Sequence, residues 1–314
     1  MVKIMTGTSG WSYPDWQGAV YPPEAGSRFD ELIYLANFCD TIEINSSFYR
    51  IPNQRSVASW LNRTASLPEF RFSAKLFKGL THERDARTRD ELIHETVEAF
   101  LPIYESQKLA AILIQFPWSF KYGAESMAWL EWLVKKLSPM PLAVEVRHTS
   151  WLNDTYYDFL KSERVAFCNI DQPTVSFAKN IPPTEIITAK FGYIRFHGRN
   201  AGEWFTEKED ASQRYNYLYT SQELDEWVDR IHRMARDAER IYIYMNNHVG
   251  GQGLANALEL KSKLSGKKVP VPRQLLLKFP SLENIAVPYE EPAGMKKSHQ
   301  RRKCDQDSQE NLLF

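Results

Sequence analysis

Ionisable and amide side chains recur at one kind of place in this sequence, at or just past the ends of short apolar stretches. They are Glu43 and Asn45, Lys75, Gln115, Glu145 and Arg147, Asp171, Arg195 and His197, and Asn246 with Asn247. In Tyr193-Ile-Arg-Phe-His-Gly-Arg199 a period of two puts Tyr193, Arg195 and His197 on one face and Ile194 and Phe196 on the other. Lys75, Arg147, Arg195 and Arg199 would supply positive charge, and guanidinium forks match phosphate oxygens in pairs. Glu43 or Glu145 would then act as general base and His197 or His82 as acid. Trp11, Tyr13, Trp16, Phe48, Tyr49 and Trp204 offer rings on which a base or sugar could stack, although a loop aromatic more often packs its own loop.

A plainer account pairs the charges with one another, for instance Glu145 with Arg147 or Arg195, since buried ions need partners. So many charges are a costly filling for a protein interior, so the set points to a ligand site. Glycoside chemistry with Glu43 and Glu145 as paired carboxylates is a second reading, and the surrounding cations argue against a neutral sugar. A metal held by Glu145, Asp171, His197 and His248 is a third, without a local ligand motif behind it. The expected cofactor set is empty, with a divalent metal left open. Hydrolase or isomerase activity and a non-catalytic binding role both remain open.

The elements that must position these groups alternate. Strands are expected near residues 3–8, 41–45 (continued by 46–49), 71–75, 110–117, 141–147, 166–171, 193–199 and 241–248. Helices are expected near 30–38, 56–64, 90–103, 124–137, 154–162, 221–238 and 255–264. Such alternation predicts parallel βαβ units, and about eight of them in ~250 residues match a single-domain α/β (β/α)₈ TIM-type barrel. A doubly wound open sheet competes, but no Gly-x-Gly-x-x-Gly follows the first strand. In a barrel the C-terminal strand ends share one mouth, so residues far apart in sequence would ring a single site. Residues 1–264 are expected to form the barrel and 265–314 a C-terminal extension. From about residue 290 this reads as a flexible tail, with basic clusters at Lys296-Lys297 and Arg301-Arg302-Lys303.

In the 314-residue chain, 39 Lys and Arg balance 39 Asp and Glu, so no global field draws it to nucleic acid or membranes. Cys39, Cys168 and Cys304 form no disulfide framework, and the N-terminus lacks the apolar core of a signal peptide. No apolar run suits a bilayer. A cytoplasmic protein is the expectation.

Gly7-Thr-Ser-Gly-Trp11, Tyr21-Pro22, Glu43-Ile-Asn-Ser-Ser-Phe-Tyr49, Phe72-Ser-Ala-Lys75, Gln115-Phe-Pro117, Glu145-Val-Arg147 with Trp151, Arg195-Phe-His-Gly-Arg199 and Asn246-Asn247 together resemble the YecE-like family (domain of unknown function 72). The resemblance spans about residues 4–264. It implies a TIM-type barrel with these positions around a polar mouth, and no agreed reaction or cofactor. The expected catalytic residues are Glu43, Glu145, His197 and Asp171. The expected ligand-binding residues are Trp11, Asn45, Tyr49, Lys75, His82, Gln115, Arg147, Trp151, Arg195, Arg199, Asn246 and Asn247. The expected partner is a small anionic ligand such as a phosphorylated sugar or nucleotide. A nucleic-acid backbone stays open, and no membrane is expected.

Overall fold

Eight parallel strands hydrogen-bond in sequence order into a closed barrel in the computed structural model, which describes residues 2–26, 28–174, 179–204, 211–287 and 289. They are β1 (Lys3–Ser9), β2 (Thr41–Ile44), β3 (Arg71–Lys75), β4 (Leu109–Gln115), β5 (Leu142–Glu145), β6 (Ala166–Asp171), β7 (Phe191–Phe196) and β8 (Arg240–Met245). Closure comes from β8 against β1, where Met5 pairs with Tyr242 and Gly7 with Tyr244. The expected TIM-type barrel is therefore the observed fold.

The helices are α1 (Glu31–Ala36), α2 (Ser46–Tyr49), α3 (Gln54–Arg63), α4 (Arg89–Glu105), α5 (Ala124–Leu137), α6 (Asp154–Ser162), α7 (Ala201–Trp204), α8 (Ser221–Met234), α9 (Gln252–Ser265) and α10 (Arg273–Lys278). Several start where a short polar side chain satisfies an orphan N–H. Asn53 accepts from Ser56 N, Asn153 accepts from Tyr156 N, and Thr220 forms a reciprocal box with Glu223. On α8, Leu224, Trp227, Ile231 and Met234 recur at helical spacing and pack with Ile194, Phe196, Ile241, Ile243 and Met245. That packing takes every second residue of β7 and β8 to the outside. It leaves Tyr193, Arg195 and Tyr244 for the barrel interior.

The interior just below the mouth is polar and hydrogen-bonded. Tyr244 Oη lies 2.8 Å from Thr41 Oγ1, and Tyr193 Oη lies 2.6 Å from Ser73 Oγ. Ser46–Tyr49, expected to prolong β2, instead turns into α2. Asn45 already adopts helical angles (φ −80°, ψ −29°), and the Ser47 hydroxyl sits 2.7 Å from both Ile44 O and Lys75 O. The turn ties the end of β2 to the end of β3.

Past α9, β9 (Val269–Pro270) pairs in parallel with β10 (Ala286–Val287), and Val269, Val271, Leu275 and Leu282 are buried in the main core. The expected tail from residue 290, its basic clusters and Cys304 lie outside the described residues. No helix among the described residues is long and apolar enough to cross a membrane.

β1 and β2 approach so closely that a Cβ at Gly7 would lie 1.7 Å from the Thr41 carbonyl oxygen. Overpacking a tight site typically costs ~1–3 kcal/mol, and here the obstacle is backbone. Gly7→Ala should therefore lower unfolding stability by at least that much in urea titration. A change under ~0.5 kcal/mol, the range of an ordinary surface substitution, would show that the strands part freely.

Candidate functional site

Arg195 projects from β7 into the centre of the mouth. Its Nη2 donates to Glu43 Oε1 at 2.7 Å and its Nη1 to Glu145 Oε2 at 2.6 Å, while Ser9 Oγ stands 3.5 Å from Nη2. One guanidinium thus joins β2, β5 and β7 across the barrel. Glu43 Oε2 also accepts from Tyr193 Oη at 2.9 Å. Glu145 Oε1 accepts from Arg147 Nε at 3.0 Å and Nη2 at 2.9 Å, with His197 Nε2 at 3.3 Å. Glu43, Glu145, Arg195 and His197 are fully buried.

Burial alone would raise the Glu145 carboxyl, but Arg195, His197 and Arg147 outweigh it and hold it well below the usual carboxylate range. Burial pushes His197 down to about 3 against the pull of Glu145. Asn246 Nδ2 lies 3.1 Å from His197 Nδ1. With that amide donating, the ring proton sits on Nε2, facing Glu145. His82 falls to about 4 through burial and then Lys75. At neutral pH neither imidazole carries an extra proton.

Lys75 ends β3 on the inward face, two residues after Ser73. Its Nζ lies 4.4 Å from the centre of the Phe48 ring, and no carboxylate among the described residues contacts it. Burial, then Arg195, lowers its pKa to about 7, with Glu43 and Glu145 opposing. Around it, His82 meets Phe48 edge-on at 4.9 Å, and Tyr49 packs against Phe48 at 5.1 Å while remaining 72% exposed.

Gln115 pairs in register with Glu145 and is buried on the same side. Asn45 Nδ2 reaches Tyr13 Oη at 3.4 Å, and the Tyr13 ring stacks on His248 at 4.4 Å. Trp11 packs edge-on against Trp60 at 5.9 Å.

Other expected site residues stand apart from this ring. Asp171 accepts from Tyr219 Oη at 2.6 Å, from Trp227 Nε1 at 2.7 Å and from Arg199 Nε and Nη2 at 3.0 and 2.8 Å. These partners belong to the helix layer outside β6 and β7, and Arg199 continues to Glu223 and Glu226. Trp151 is buried in the core, donating to Phe120 O at 2.7 Å. Asn247 braces a loop through Tyr217 O and Asn256 Oδ1. The Trp204 side chain lies outside the described residues. No group of three or more His, Cys, Asp or Glu among the described residues could hold a metal, and Asp171 is turned away from Glu145 and His197. Ser9 and Cys168, whose Sγ is 4.0 Å from Glu145 Oε2, join the ring without having been singled out in the sequence. For Ser9 the available signal was a hydroxyl at a strand end before Gly10.

The sequence profile described as "Protein of unknown function DUF72" matches residues 5–276. The UPF0759 protein YunF of Bacillus subtilis (strain 168) is 29% identical over 271 residues, covering 82% of this chain and 93% of that protein. A crystal structure of a DUF72 family protein from Thermotoga maritima MSB8 is 31% identical, with 84% of this chain and 99% of that chain covered and a TM-score of 0.72. A second DUF72 structure, from Enterococcus faecalis V583, is 26% identical over 84% of this chain and 96% of that one, with a TM-score of 0.74.

Two measurements probe the buried ring. Arg195→Met strands two carboxylates and should cost about 3–5 kcal/mol in urea titration, the range for breaking a buried pair on one side; a near-neutral result would mean the carboxylates carry no buried charge. His197 protonates near 3 in the fold against 6.5 ordinarily, and Glu145 protonates well below its ordinary 4.5. In both cases the unfolded chain binds more protons as pH falls. The His197 contribution is therefore complete above 6.5 and is lost toward 3, and that of Glu145 is complete above 4.5 and is lost below it. Stability measured stepwise from pH 8 to pH 4 should already be falling at pH 8, because Lys75 is protonated up to 10.5 in the unfolded chain and only toward 7 in the fold, with a second fall beginning below about 6.5, where an unperturbed histidine titrates.

Proposed function

The chain belongs to the DUF72 family, and we propose that its barrel mouth binds a small anionic ligand, a phosphorylated sugar or a nucleotide, beside Lys75, Arg147 and the exposed ring of Tyr49. The observation that carries this reading is Lys75. Glu43 and Glu145 both accept from Arg195, and Glu145 also accepts from Arg147, so the nearby carboxylates are already engaged. Among the described residues, the contact left to Lys75 is the Phe48 ring. A partly buried amine without a counter-ion sheds its proton more readily, and an anion arriving from solvent would restore it.

Arg147 supports the same reading. Its side chain keeps 16% exposure, unlike the fully enclosed Arg195, so it lies nearer the lip than the buried centre of the ring. Tyr49 adds an exposed ring of the kind on which sugars and bases stack. Glu43 and Glu145 then serve to fix the two guanidinium groups. Paired-carboxylate glycoside hydrolysis is disfavoured, because it needs one carboxyl group free to protonate the leaving oxygen, whereas Glu43 and Glu145 both accept from Arg195.

Binding should be coupled to proton uptake. Ribose 5-phosphate and AMP should bind more tightly below pH 7 and progressively more weakly above it, with glucose as a non-binding control, in isothermal titration between pH 6 and 8.5. Lys75→Met should weaken binding by roughly 10-fold and flatten that pH dependence, a loss of ~1.4 kcal/mol. Arg147→Ala should weaken it without changing the pH midpoint. Binding by glucose alone, or none by either anion, would overturn the reading.

A further inference from the structure

We propose that Lys75 is a nucleophilic amine that condenses with the carbonyl group of an anionic aldehyde, ketone or 2-oxo acid to form an imine. The inference rests on the anion-binding reading and assigns it a chemistry. An amine that attacks a carbonyl must be unprotonated at working pH, must have its lone pair free of a carboxylate partner, and must be approachable from solvent. Lys75 meets the three conditions through its surroundings. It sits at the C-terminal end of β3 at the mouth, partly exposed. Its Nζ rests over the Phe48 ring, which repels neither the amine nor a cationic product, and no carboxylate among the described residues holds it as an ammonium. Its pKa near 7 agrees with that placement.

The balance of the step is simple. The Lys75 ammonium loses a proton, and the Nζ lone pair forms a C–N bond to the carbonyl carbon while the C=O π pair moves to oxygen. That oxygen takes up the released proton to give the carbinolamine. A second proton transfer, from nitrogen to oxygen by way of solvent, lets the oxygen leave as water, and the nitrogen lone pair closes the C=N bond to give the iminium, the protonated imine, directly. Ammonium plus carbonyl compound thus becomes iminium plus water, with no oxidant or reductant and no change in total charge. Because the iminium nitrogen is cationic, a substrate anion held near Arg147 stabilises the product of the step. Hydrolase or isomerase chemistry on a sugar phosphate could then proceed from the open-chain carbonyl form.

Borohydride trapping tests this directly. The intact protein is incubated at pH 7.5 with glyoxylate or dihydroxyacetone phosphate, or with the neutral probe glycolaldehyde, reduced with sodium borohydride, and mapped by peptide mass spectrometry. The expected result is a single dominant secondary amine at Lys75, at least 10-fold more abundant with the anionic probes than with glycolaldehyde. Lys75→Arg, checked for folding by circular dichroism, should form no such adduct. If that variant does not fold, the position of the adduct in the unsubstituted protein decides alone. Adducts spread over exposed lysines, or none at Lys75, would overturn the inference while leaving anion binding intact if ribose 5-phosphate still binds. Equal labelling by glycolaldehyde would overturn the anionic substrate class and, with it, the reading beneath.

Discussion

One guanidinium between two carboxylates governs the interior of this barrel. Arg195 cannot be buried without Glu43 and Glu145, and neither carboxylate can be buried without it, since stripping an ion of water costs several kcal/mol unless a partner compensates. The three therefore stand or fall together. Because they come from β2, β5 and β7, their contacts set distances across the barrel that the backbone ladder alone would leave adjustable. Arg147, His197 and Tyr193 then satisfy the remaining carboxylate oxygens. The result is rigid geometry at the floor of the mouth, which is what a site that must hold one ligand orientation requires.

That network is possible because the outer helices take up the apolar half of each strand. Trp227 and Ile231 of α8 pack with Ile194 and Phe196, leaving the alternate positions of β7 for polar groups inside. Below the ring, the Tyr193–Ser73 and Tyr244–Thr41 contacts satisfy buried hydroxyls two by two. The same logic explains the outward cluster at Asp171. There, Trp227 Nε1, Tyr219 Oη and Arg199 converge on one carboxylate and clamp the end of β6 against α8. Its chemistry resembles that of the ring inside, but its work is to hold the helix layer.

The barrel was legible because strand and helix periods alternate along most of the chain, broken only between β6 and β7, where no helix was expected and none is found among the described residues, and because Glu43, Glu145 and Arg195 each stand opposite apolar neighbours that belong against helices. Asp171 shows the limit of the pattern. On β6, Asn169 and Asp171 alternate with Cys168 and Ile170, so the parity was readable, but parity does not say which face turns inward. On β7 the apolar set faces out. On β6 the polar set faces out, because Trp227, Tyr219 and Thr184 supply partners there and Cys168 lies against Glu145 inside. The turn at Asn45 was hidden for a related reason. Phe48 and Tyr49 suit a strand by propensity, and only the Ser47 bridge to Ile44 and Lys75 makes the helical turn the better use of that hydroxyl.

Lys75 shows why residue type alone misjudges a site. In the sequence it counts as one more positive charge beside three arginines. In the fold, the arginines consume the local carboxylates, and Arg195 and Arg147 act on Lys75 as like charges in a poorly solvated place. A guanidinium keeps its proton under such pressure and a primary amine does not. Two kinds of cation in one mouth therefore diverge in role. The arginines hold fixed charge, and the lysine is the cation among them whose proton is least tightly held. In the anion-binding reading proposed above, an amine with no carboxylate partner among the described residues would offer a ligand its lone pair as well as its charge, which a fourth guanidinium would not.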